Sequence, residues 1–235
     1  MRAHEIEEIR RLNLFAAMAP EHFDRLIRGA YVQNFPPQID LIHEGGSADF
    51  LHVLVEGMVE MYAGWKERET TMAIIRPVST FILAASVRDA PYLMSARTLE
   101  PSRVVLLPSV DMRAVFDADN AFARAVVTEL ASCYRGVVRH AKDLKLRVSL
   151  ERLANYLLRQ SNRAGGHAFE LQVEKRKIAA YLGMTPENMS RALKTLQDYG
   201  VTVEGVSVTI TDMVRLQKFA QPSALIDGTT DGFGN

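Results

Sequence analysis

The stretch KRKIAAYLGMTPENMSRALKTLQDYG, residues 175–200, decides the fold of the C-terminal part of the chain. Its first part has the apolar spacing of a short helix, and Gly183 can end that helix because glycine readily adopts a left-handed turn. Thr185 can cap a second helix, with Pro186 at the first position, where a missing N–H does no harm. The predicted buried stripe of the second helix is Met189, Ala192, Leu193 and Leu196. Together these features predict a helix-turn-helix.

The segments on either side of this motif alternate between apolar and polar residues, which is typical of strands. Phe169–Val173 precedes the motif, and Val201–Val203 and Val206–Ile210 follow it around Glu204-Gly205, a favourable hairpin turn. A strand before the motif and a hairpin after it predict a winged helix-turn-helix.

The outward face of the second helix carries side chains that can reach base edges and phosphates in a major groove. Arg191 can form a bidentate contact with guanine, and Glu187 can accept a hydrogen bond from the amino group of cytosine. The predicted DNA-binding residues here are Thr185, Glu187, Asn188, Ser190, Arg191 and Lys194. Three basic residues that begin the first helix are placed to contact phosphates: Lys175, Arg176 and Lys177. The alternative is an ordinary helical hairpin with a solvated face.

The charges of the chain are distributed unevenly, although its formal net charge is zero. Residues 1–133 carry 13 Lys and Arg against 18 Asp and Glu, whereas residues 134–220 carry 15 against 8. A basic C-terminal half favours contact with the phosphates of double-stranded DNA. A charged, solvated surface would give the same counts, so the charge alone leaves both interpretations open.

The region from Tyr31 to about Leu107 consists of short apolar or alternating runs separated by glycine and proline. The predicted strands are Tyr31–Phe35, Leu51–Val55, Met58–Tyr62, Thr71–Ile75 and Arg103–Leu107. Many short strands at this spacing predict an antiparallel barrel or sandwich.

A long segment without proline, residues 110–146, has apolar residues at steps of three and four, as in an amphipathic helix. These residues are Val115, Phe122, Val126, Leu130, Cys133, Val137, Val138, Ala141 and Leu144. A helix that is apolar along one side needs a partner, and a second copy of the chain is the simplest one. The alternative is a helix that packs on its own barrel.

The sequence carries no sign of a membrane or secreted protein. It has no run of 18 or more apolar residues, its N-terminus is charged, and Cys133 is the only cysteine. One cysteine excludes a disulfide framework within the chain and an iron–sulfur cluster held by cysteines. No phosphate loop, metal-binding histidine motif or nucleophile elbow occurs, so neither an enzyme nor a metal site is expected. These features predict a cytoplasmic protein.

From about residue 10 to residue 220 the sequence resembles the family of the cyclic-AMP receptor protein and the fumarate–nitrate reduction regulator, the CRP/FNR family. The resemblance rests on the order of the elements and on LIHEGGSADFLHVLVEGMVEMY, Leu41–Tyr62, which is similar to the family's barrel signature. It implies an α+β chain with an N-terminal antiparallel β-roll, similar to a jelly roll, as a sensor domain. The expected boundaries are residues 1–109 for the roll, 110–146 for a long dimerisation helix, 147–220 for the winged helix-turn-helix and 221–235 for a disordered tail.

In the predicted recognition helix, Glu187, Ser190 and Arg191 match the Glu…Ser-Arg pattern of the fumarate–nitrate branch. The resemblance implies a homodimer on half-sites similar to TTGA, arranged as an inverted repeat about one helical turn apart. The cyclic-AMP branch has arginine where this chain has Pro186, so its TGTGA preference is not expected. The family also implies RNA polymerase as a partner, with the chain an activator or a repressor.

The effector site departs from the family pattern for cyclic nucleotides, in which a Gly-Glu pair and an Arg-Ser pair hold the phosphate. At these positions the chain has Leu83, Ala84, Tyr92 and Leu93, and at the positions that face the purine it has Val137 and Val138. A buried phosphate would lack a charged partner here, so cyclic AMP is not expected.

What remains is an apolar effector pocket between the roll and the long helix. Its expected lining is Phe81, Leu83, Ala84, Tyr92, Leu93, Val137 and Val138. Some relatives bind haem or a hydrophobic ligand there, and His43, His52 and His140 are candidate axial ligands. Two alternatives stay open: a filled core without any effector, and a small-molecule-binding roll, with haem among its ligands, that does not act on DNA.

Overall fold

A computed structural model describes residues 3–228 of the chain. These residues form two compact units, one up to Arg135 and the other from Gly136. Within the described range, no helix combines the length and the apolar character that a bilayer crossing requires.

The first unit begins with two helices, α1 (Ala3–Arg10) and α2 (Pro20–Arg28). Eight strands follow: β1 (Tyr31–Phe35), β2 (Asp40–Ile42), β3 (Phe50–Glu56), β4 (Val59–Trp65), β5 (Arg68–Ile75), β6 (Ser79–Phe81), β7 (Ser95–Thr98) and β8 (Ser102–Pro108). A short helix, α3 (Leu83–Arg88), lies between β6 and β7.

The eight strands form two antiparallel sheets of four strands each, in the orders β1-β8-β3-β6 and β2-β7-β4-β5. The expected antiparallel roll is therefore confirmed. Strand β3 is buried on both faces. Because successive side chains of a strand point to opposite faces, Leu51 and Val53 belong to one core cluster and Leu54 belongs to the other. The sequence did not predict β2, β6 or β7, which have only three or four residues each.

The segment predicted as one long helix is two helices, α4 (Ser109–Ala118) and α5 (Asn120–Leu146). The break is at Asp119, whose carboxylate accepts hydrogen bonds from the amides of Phe122 (2.9 Å) and Ala19 (2.8 Å) and lies 2.9 Å from Nδ1 of His22. Burial by itself raises the pKa of Asp119, but the hydrogen bonds from Phe122, His22 and Ala19 outweigh it and lower the pKa to about 2. The long helix therefore begins at a charged cap that also anchors the loop before α2.

The apolar stripe predicted along this segment does not stay together. Phe122 and Val126 are fully buried in the core of the first unit, beside Phe15 and Val115. Val137, by contrast, is 46% exposed. The roll therefore covers the N-terminal part of the predicted stripe, whereas its C-terminal part on the same helix is exposed.

The second unit contains the C-terminal part of α5 and the remaining elements of the chain. They are α6 (Ser149–Ala164), β9 (Ala168–Glu170), α7 (Lys175–Tyr181), α8 (Pro186–Leu196), a one-turn 3-10 helix (Gln197–Tyr199), β10 (Val201–Glu204), β11 (Ser207–Ile210), α9 (Met213–Ala220) and α10 (Ala224–Asp227). The three strands form an antiparallel sheet in the order β10-β11-β9. The winged helix-turn-helix predicted over 147–220 is thus confirmed as a fold.

The tail predicted to be disordered over 221–235 is ordered at its beginning. Residues 221–228 include α10, and Asp227 pairs with Arg147 and Arg159. The prediction for this part is wrong, because its ordering comes from charged partners far away in sequence and not from apolar side chains. The remainder of that prediction, residues 229–235, lies outside the described residues.

Candidate nucleic-acid interface

The turn between α7 and α8 depends on Gly183. This residue has a φ of +63°, its amide donates to the carbonyl of Ala180 (3.0 Å), and the next amide, of Met184, donates to Ala179 (2.9 Å). This pair of bonds is the Schellman arrangement that ends helices at glycine, as the sequence predicted. A Cβ at Gly183 would lie 2.9 Å from Cδ2 of Leu144, a flexible side-chain end that can move, so it is the left-handed conformation that favours glycine here.

Arg152, on α6, lies beneath this turn and is only 8% exposed. Its Nε donates to the carbonyl of Leu182 (2.8 Å), and its Nη2 donates to the carbonyl of Gly183 (3.3 Å). Its Nη1 donates to the carbonyl of Arg147, at 2.6 Å. The end of a helix leaves carbonyls without partners, and one guanidinium satisfies them here. Arg152 therefore fixes the point from which α8 starts.

The recognition helix α8 begins with the cap that the sequence predicted. The hydroxyl of Thr185 accepts a hydrogen bond from the amide of Asn188 (3.2 Å), and Pro186 is the first helical residue. Glu187 is exposed in this first turn. A hydrogen bond from its own backbone amide lowers the pKa of its carboxyl most, and the hydroxyl of Thr185 and the positive charge of Arg191 lower that pKa further. The Glu187 carboxylate is therefore ionised at neutral pH and can accept hydrogen bonds.

The two sides of α8 differ sharply in exposure. Met189, Ala192, Leu193 and Leu196 are buried, as predicted from their spacing. All six predicted DNA-binding residues of this region are exposed: Thr185, Glu187, Asn188, Ser190, Arg191 and Lys194. Among them, Arg191 donates from Nη2 to Oδ1 of Asn188. The structure thus presents the predicted polar set on one accessible helix surface.

The basic residues of α7 do not all share that exposure. Lys175 and Arg176 are exposed at the start of the helix, as expected for phosphate contacts. Lys177 is only 7% exposed, and the prediction that it contacts phosphates is wrong. Successive helical residues are rotated by about 100° around the helix axis, and this rotation places Lys177 on the buried side of α7 with Ile178, whereas Arg176 stays exposed.

The wing lies in the same unit as α8. Strands β10 and β11 pair from Val201↔Ile210 to Glu204↔Ser207, and Gly205 at the turn has a φ of +60°. The adjoining Val206 is 53% exposed, and it is apolar. The acidic Glu204 at the turn distinguishes this wing from a basic arm that would bind phosphates.

The predicted effector residues are brought together only in part. Phe81 and Tyr92 are buried in one core cluster of the first unit, and Leu83 belongs to another. Ala84 is exposed, and the Leu93 side chain is 82% exposed. Leu93 therefore does not join the apolar lining that the sequence suggested. Val137 and Val138 are exposed on α5, in the second unit.

The three candidate haem ligands are placed differently. His43 is exposed, whereas His52 is 5% exposed, with its ring centroid 5.1 Å from that of Phe81. Burial lowers the pKa of His52 to about 4, so the ring is neutral at physiological pH. His140 stacks on Tyr181 at 4.7 Å, and burial lowers its pKa as well. Over residues 3–228 no group of three or more His, Cys, Asp or Glu side chains is arranged to hold a metal ion.

A pocket of about 230 Å³ lies in the first unit at a different place. Apolar side chains and polar groups line it together: Arg11, Leu12, Asn13, Leu14, Phe15, Val53, Val78, Ser79, Thr80 and Glu129. The hydroxyl of Thr80 donates to Oε1 of Glu129 at 3.4 Å across this pocket. None of the predicted effector residues takes part in its lining.

Two family models match the two parts of the chain. The model of the cyclic nucleotide-binding domain matches residues 32–119, and that of the Crp-like helix-turn-helix domain matches residues 151–219. The chain belongs to the CRP/FNR family. No curated protein matches the chain in sequence.

Solved structures share this fold. One from Ruegeria pomeroyi, solved as a candidate cyclic nucleotide binding protein, is 25% identical, with 94% of this chain and 100% of that chain covered and a TM-score of 0.62. FixK2 from Bradyrhizobium japonicum is 24% identical, with 83% and 99% covered and a TM-score of 0.72. A transcriptional regulator of the CRP/FNR family from Eubacterium rectale is 16% identical, with 90% and 99% covered and a TM-score of 0.75, which shows a shared fold.

The chain therefore combines a DNA-binding helix-turn-helix of the Crp type with a sensor domain of the cyclic nucleotide-binding type, as a transcription regulator does. The helix-turn-helix match removes the alternative of an ordinary helical hairpin. Sequence reasoning missed Arg152, although a signal was present. This arginine directly precedes Leu153 on the apolar side of α6, where a charged residue needs a buried partner.

Replacing Arg152 by methionine tests its role beneath the turn. Arg152→Met keeps an unbranched side chain but leaves the carbonyls of Leu182 and Gly183 without their donor, so we expect the free energy of unfolding to fall by about 2–4 kcal/mol. The matched control, Arg176→Met, removes an exposed charge from α7 and should change stability by less than about 0.5 kcal/mol. Urea unfolding followed by circular dichroism measures the free energy of unfolding of both variants. Equal losses of stability would contradict the role of Arg152 beneath the turn.

Proposed function

We propose that the protein is a cytoplasmic homodimer that binds a TTGA-type inverted repeat and regulates transcription through contact with RNA polymerase. One observation carries the DNA-binding part of this proposal. Glu187, Ser190 and Arg191 are exposed together on α8, while the opposite side of that helix is fixed in the core by Met189 and Leu196. A helix with this division can enter a major groove and present its polar side to the bases.

The reading chemistry follows from the side chains on that surface. Arg191 can donate two hydrogen bonds to O6 and N7 of the half-site guanine, and ionised Glu187 can accept from the amino group of the paired cytosine. Ser190 can donate or accept beside them. Lys175 and Arg176 contribute charge to phosphates and carry no sequence information.

Arg191→Ala and Lys175→Ala separate these two kinds of contact. Arg191→Ala should weaken binding to a TTGA inverted repeat about 10-fold to 100-fold and leave binding to a scrambled duplex nearly unchanged. Lys175→Ala should weaken both by the same factor and reduce the number of ions released on binding by about one per half-site. Fluorescence anisotropy with labelled duplexes at several salt concentrations measures both effects. A uniform loss for Arg191→Ala would refute its role as a base-reading residue.

The homodimer is supported by a second set of apolar residues on α5. Val127, Ala131, Tyr134 and Val138 are exposed, and their spacing of four, three and four residues is that of a coiled-coil seam. Tyr134 is 70% exposed and Val127 is 57% exposed, although both have large, mainly apolar side chains. Pairing with the same seam of a second copy would cover them and give two α8 helices for the two half-sites.

Tyr134→Glu tests this seam. A carboxylate facing its own copy at a central seam position should convert dimers to monomers, because like charges would be buried together. Sedimentation velocity at micromolar concentration measures the change. Thr128→Glu adds the same charge one position off the seam, at an exposed residue, and should remain dimeric. A dimeric Tyr134→Glu protein would exclude this seam as the interface.

For the sensor domain we propose an effector other than a cyclic nucleotide or an iron–sulfur cluster. The positions that would hold a phosphate are Leu83, Ala84, Tyr92 and Leu93, none of which carries a cation. The pocket of about 230 Å³ that contains Arg11 and Glu129 is our candidate site for a small polar molecule. Haem is the less favoured effector, since His52 is buried with its ring beside that of Phe81 and His43 is exposed to solvent.

Isothermal titration with cyclic AMP and with cyclic GMP checks the first half of this proposal. We expect no saturable heat with either nucleotide, because a buried phosphate would lose its hydration without gaining a charged partner. Binding of the same preparation to the inverted repeat shows that the protein is active. Saturable binding of one nucleotide per protomer would contradict the proposal.

A further inference from the structure

The C-terminal segment after α9 is held in place by a cluster of charged side chains. Oδ1 of Asp227 accepts from Nη1 of Arg147 (2.8 Å) and from Nη1 of Arg159 (2.7 Å). Oδ2 of Asp227 accepts from Nη2 of Arg147 (2.6 Å) and from the amide of Ser223 (2.7 Å). The Asp227 side chain is 10% exposed and that of Arg147 is 8% exposed, so these ion pairs are largely shielded from solvent.

Further contacts extend the cluster. Asp143, one turn before Arg147 on α5, accepts from Nη1 of Arg147 at 3.0 Å and lies 3.9 Å from Arg159. Arg139 donates to the carbonyl of Gly228 at 2.7 Å. Two carboxylates thus face two shielded guanidinium groups, and removing one carboxylate leaves excess positive charge inside the cluster.

The attachment of this segment depends on charge more than on apolar burial. Of the two large apolar residues of α10, Leu225 is 71% exposed and Ile226 is only half-buried. Burial alone would raise the pKa of Asp227, but hydrogen bonds from Arg147 and Ser223 hold it below its usual range. Asp227 is therefore ionised at neutral pH.

The cluster is connected to the turn before the recognition helix. The carbonyl of Arg147 accepts from Nη1 of Arg152 at 2.6 Å, and the same guanidinium donates to the carbonyls of Leu182 and Gly183. The order of contacts is Asp227 to Arg147, Arg147 to Arg152, and Arg152 to the turn. Every step lies within the second unit and is a hydrogen bond or an ion pair.

We propose that Asp227 is a positioning residue for DNA reading. By fixing Arg147 at the end of α5, it fixes the carbonyl that orients Arg152, and through Arg152 it fixes the turn from which α8 starts. The consequence for DNA rests on the function proposed above, whereas the coupling between Asp227 and the turn exists in the protein alone.

Hydrogen exchange in the full-length protein without DNA tests the coupling directly. The variant is Asp227→Asn, which keeps the shape but removes the charge, and the control is Glu170→Gln, which removes an exposed charge from the same unit. In Asp227→Asn we expect the amides of Gly183 and Met184, both hydrogen-bonded in the turn, to exchange about tenfold faster. The amide of Ile210, bonded to the carbonyl of His167 in the wing, should keep its rate and serves as the internal reference.

Asp227→Glu provides a second variant if Asp227→Asn fails to fold. It keeps the charge on a longer side chain, so the turn amides should exchange faster than in the wild type but more slowly than in a neutral variant. Unchanged exchange of Gly183 and Met184 in the folded variants would overturn the proposal. Equal acceleration at Ile210 would overturn it as well, because it would indicate general destabilisation.

Anisotropy with the inverted repeat adds the functional readout. Asp227→Asn should weaken specific binding about five-fold to tenfold, whereas Glu170→Gln should bind like the wild type. If the turn amides exchange faster but the wild-type protein does not select the repeat, the positioning role stands and the proposed function fails. If the wild type selects the repeat and Asp227→Asn binds it equally well, the positioning role in DNA reading is refuted.

Discussion

The guanidinium of Arg152 donates to the carbonyls of Leu182 and Gly183, at the point where α7 ends and the chain turns into α8. Helix ends leave such carbonyls without partners, and a buried carbonyl without a donor destabilises a fold by about 1–3 kcal/mol. One side chain therefore both completes the helix end and holds the start of the next helix against the core. Because hydrogen bonds to bases require side chains to be placed within about 0.5 Å, this contact also sets the conditions for reading DNA.

The recognition helix separates stability from function by its two sides. Met189 and Leu196 anchor α8 through apolar burial, and this leaves Glu187 and Arg191 free of any packing role. The same separation explains the charge distribution of the chain. The net charge of zero is the sum of an acidic sensor half and a basic DNA-binding half, and only the basic half would contact phosphates.

The sequence predicted those features whose causes are local. Residues nearby in sequence determine the cap at Thr185, the turn at Gly183 and the strand Tyr31–Phe35. The features that it missed depend on partners far away in sequence: Arg152 contacts carbonyls about 30 residues later, and Asp227 pairs with Arg147 across 80 residues.

Predictions from charge and composition also failed where burial or ion pairing determines the structure. Lys177 belongs to a basic run yet lies inside, and the tail was judged by its few apolar residues although charged groups order it. The effector residues were inferred from the family pattern, which does not specify how far Leu93 projects into solvent.

Methylation interference on a duplex with a TTGA inverted repeat tests the central claim most directly. The account predicts that Arg191 donates a hydrogen bond to N7 of the guanine in each half-site. Methylation of that atom should therefore abolish binding by the full-length protein, and the effect should be equal at both half-sites. Methylation of guanines outside the half-sites should have no effect. Binding that tolerates N7 methylation in both half-sites would contradict the claim that α8 reads the major groove through Arg191.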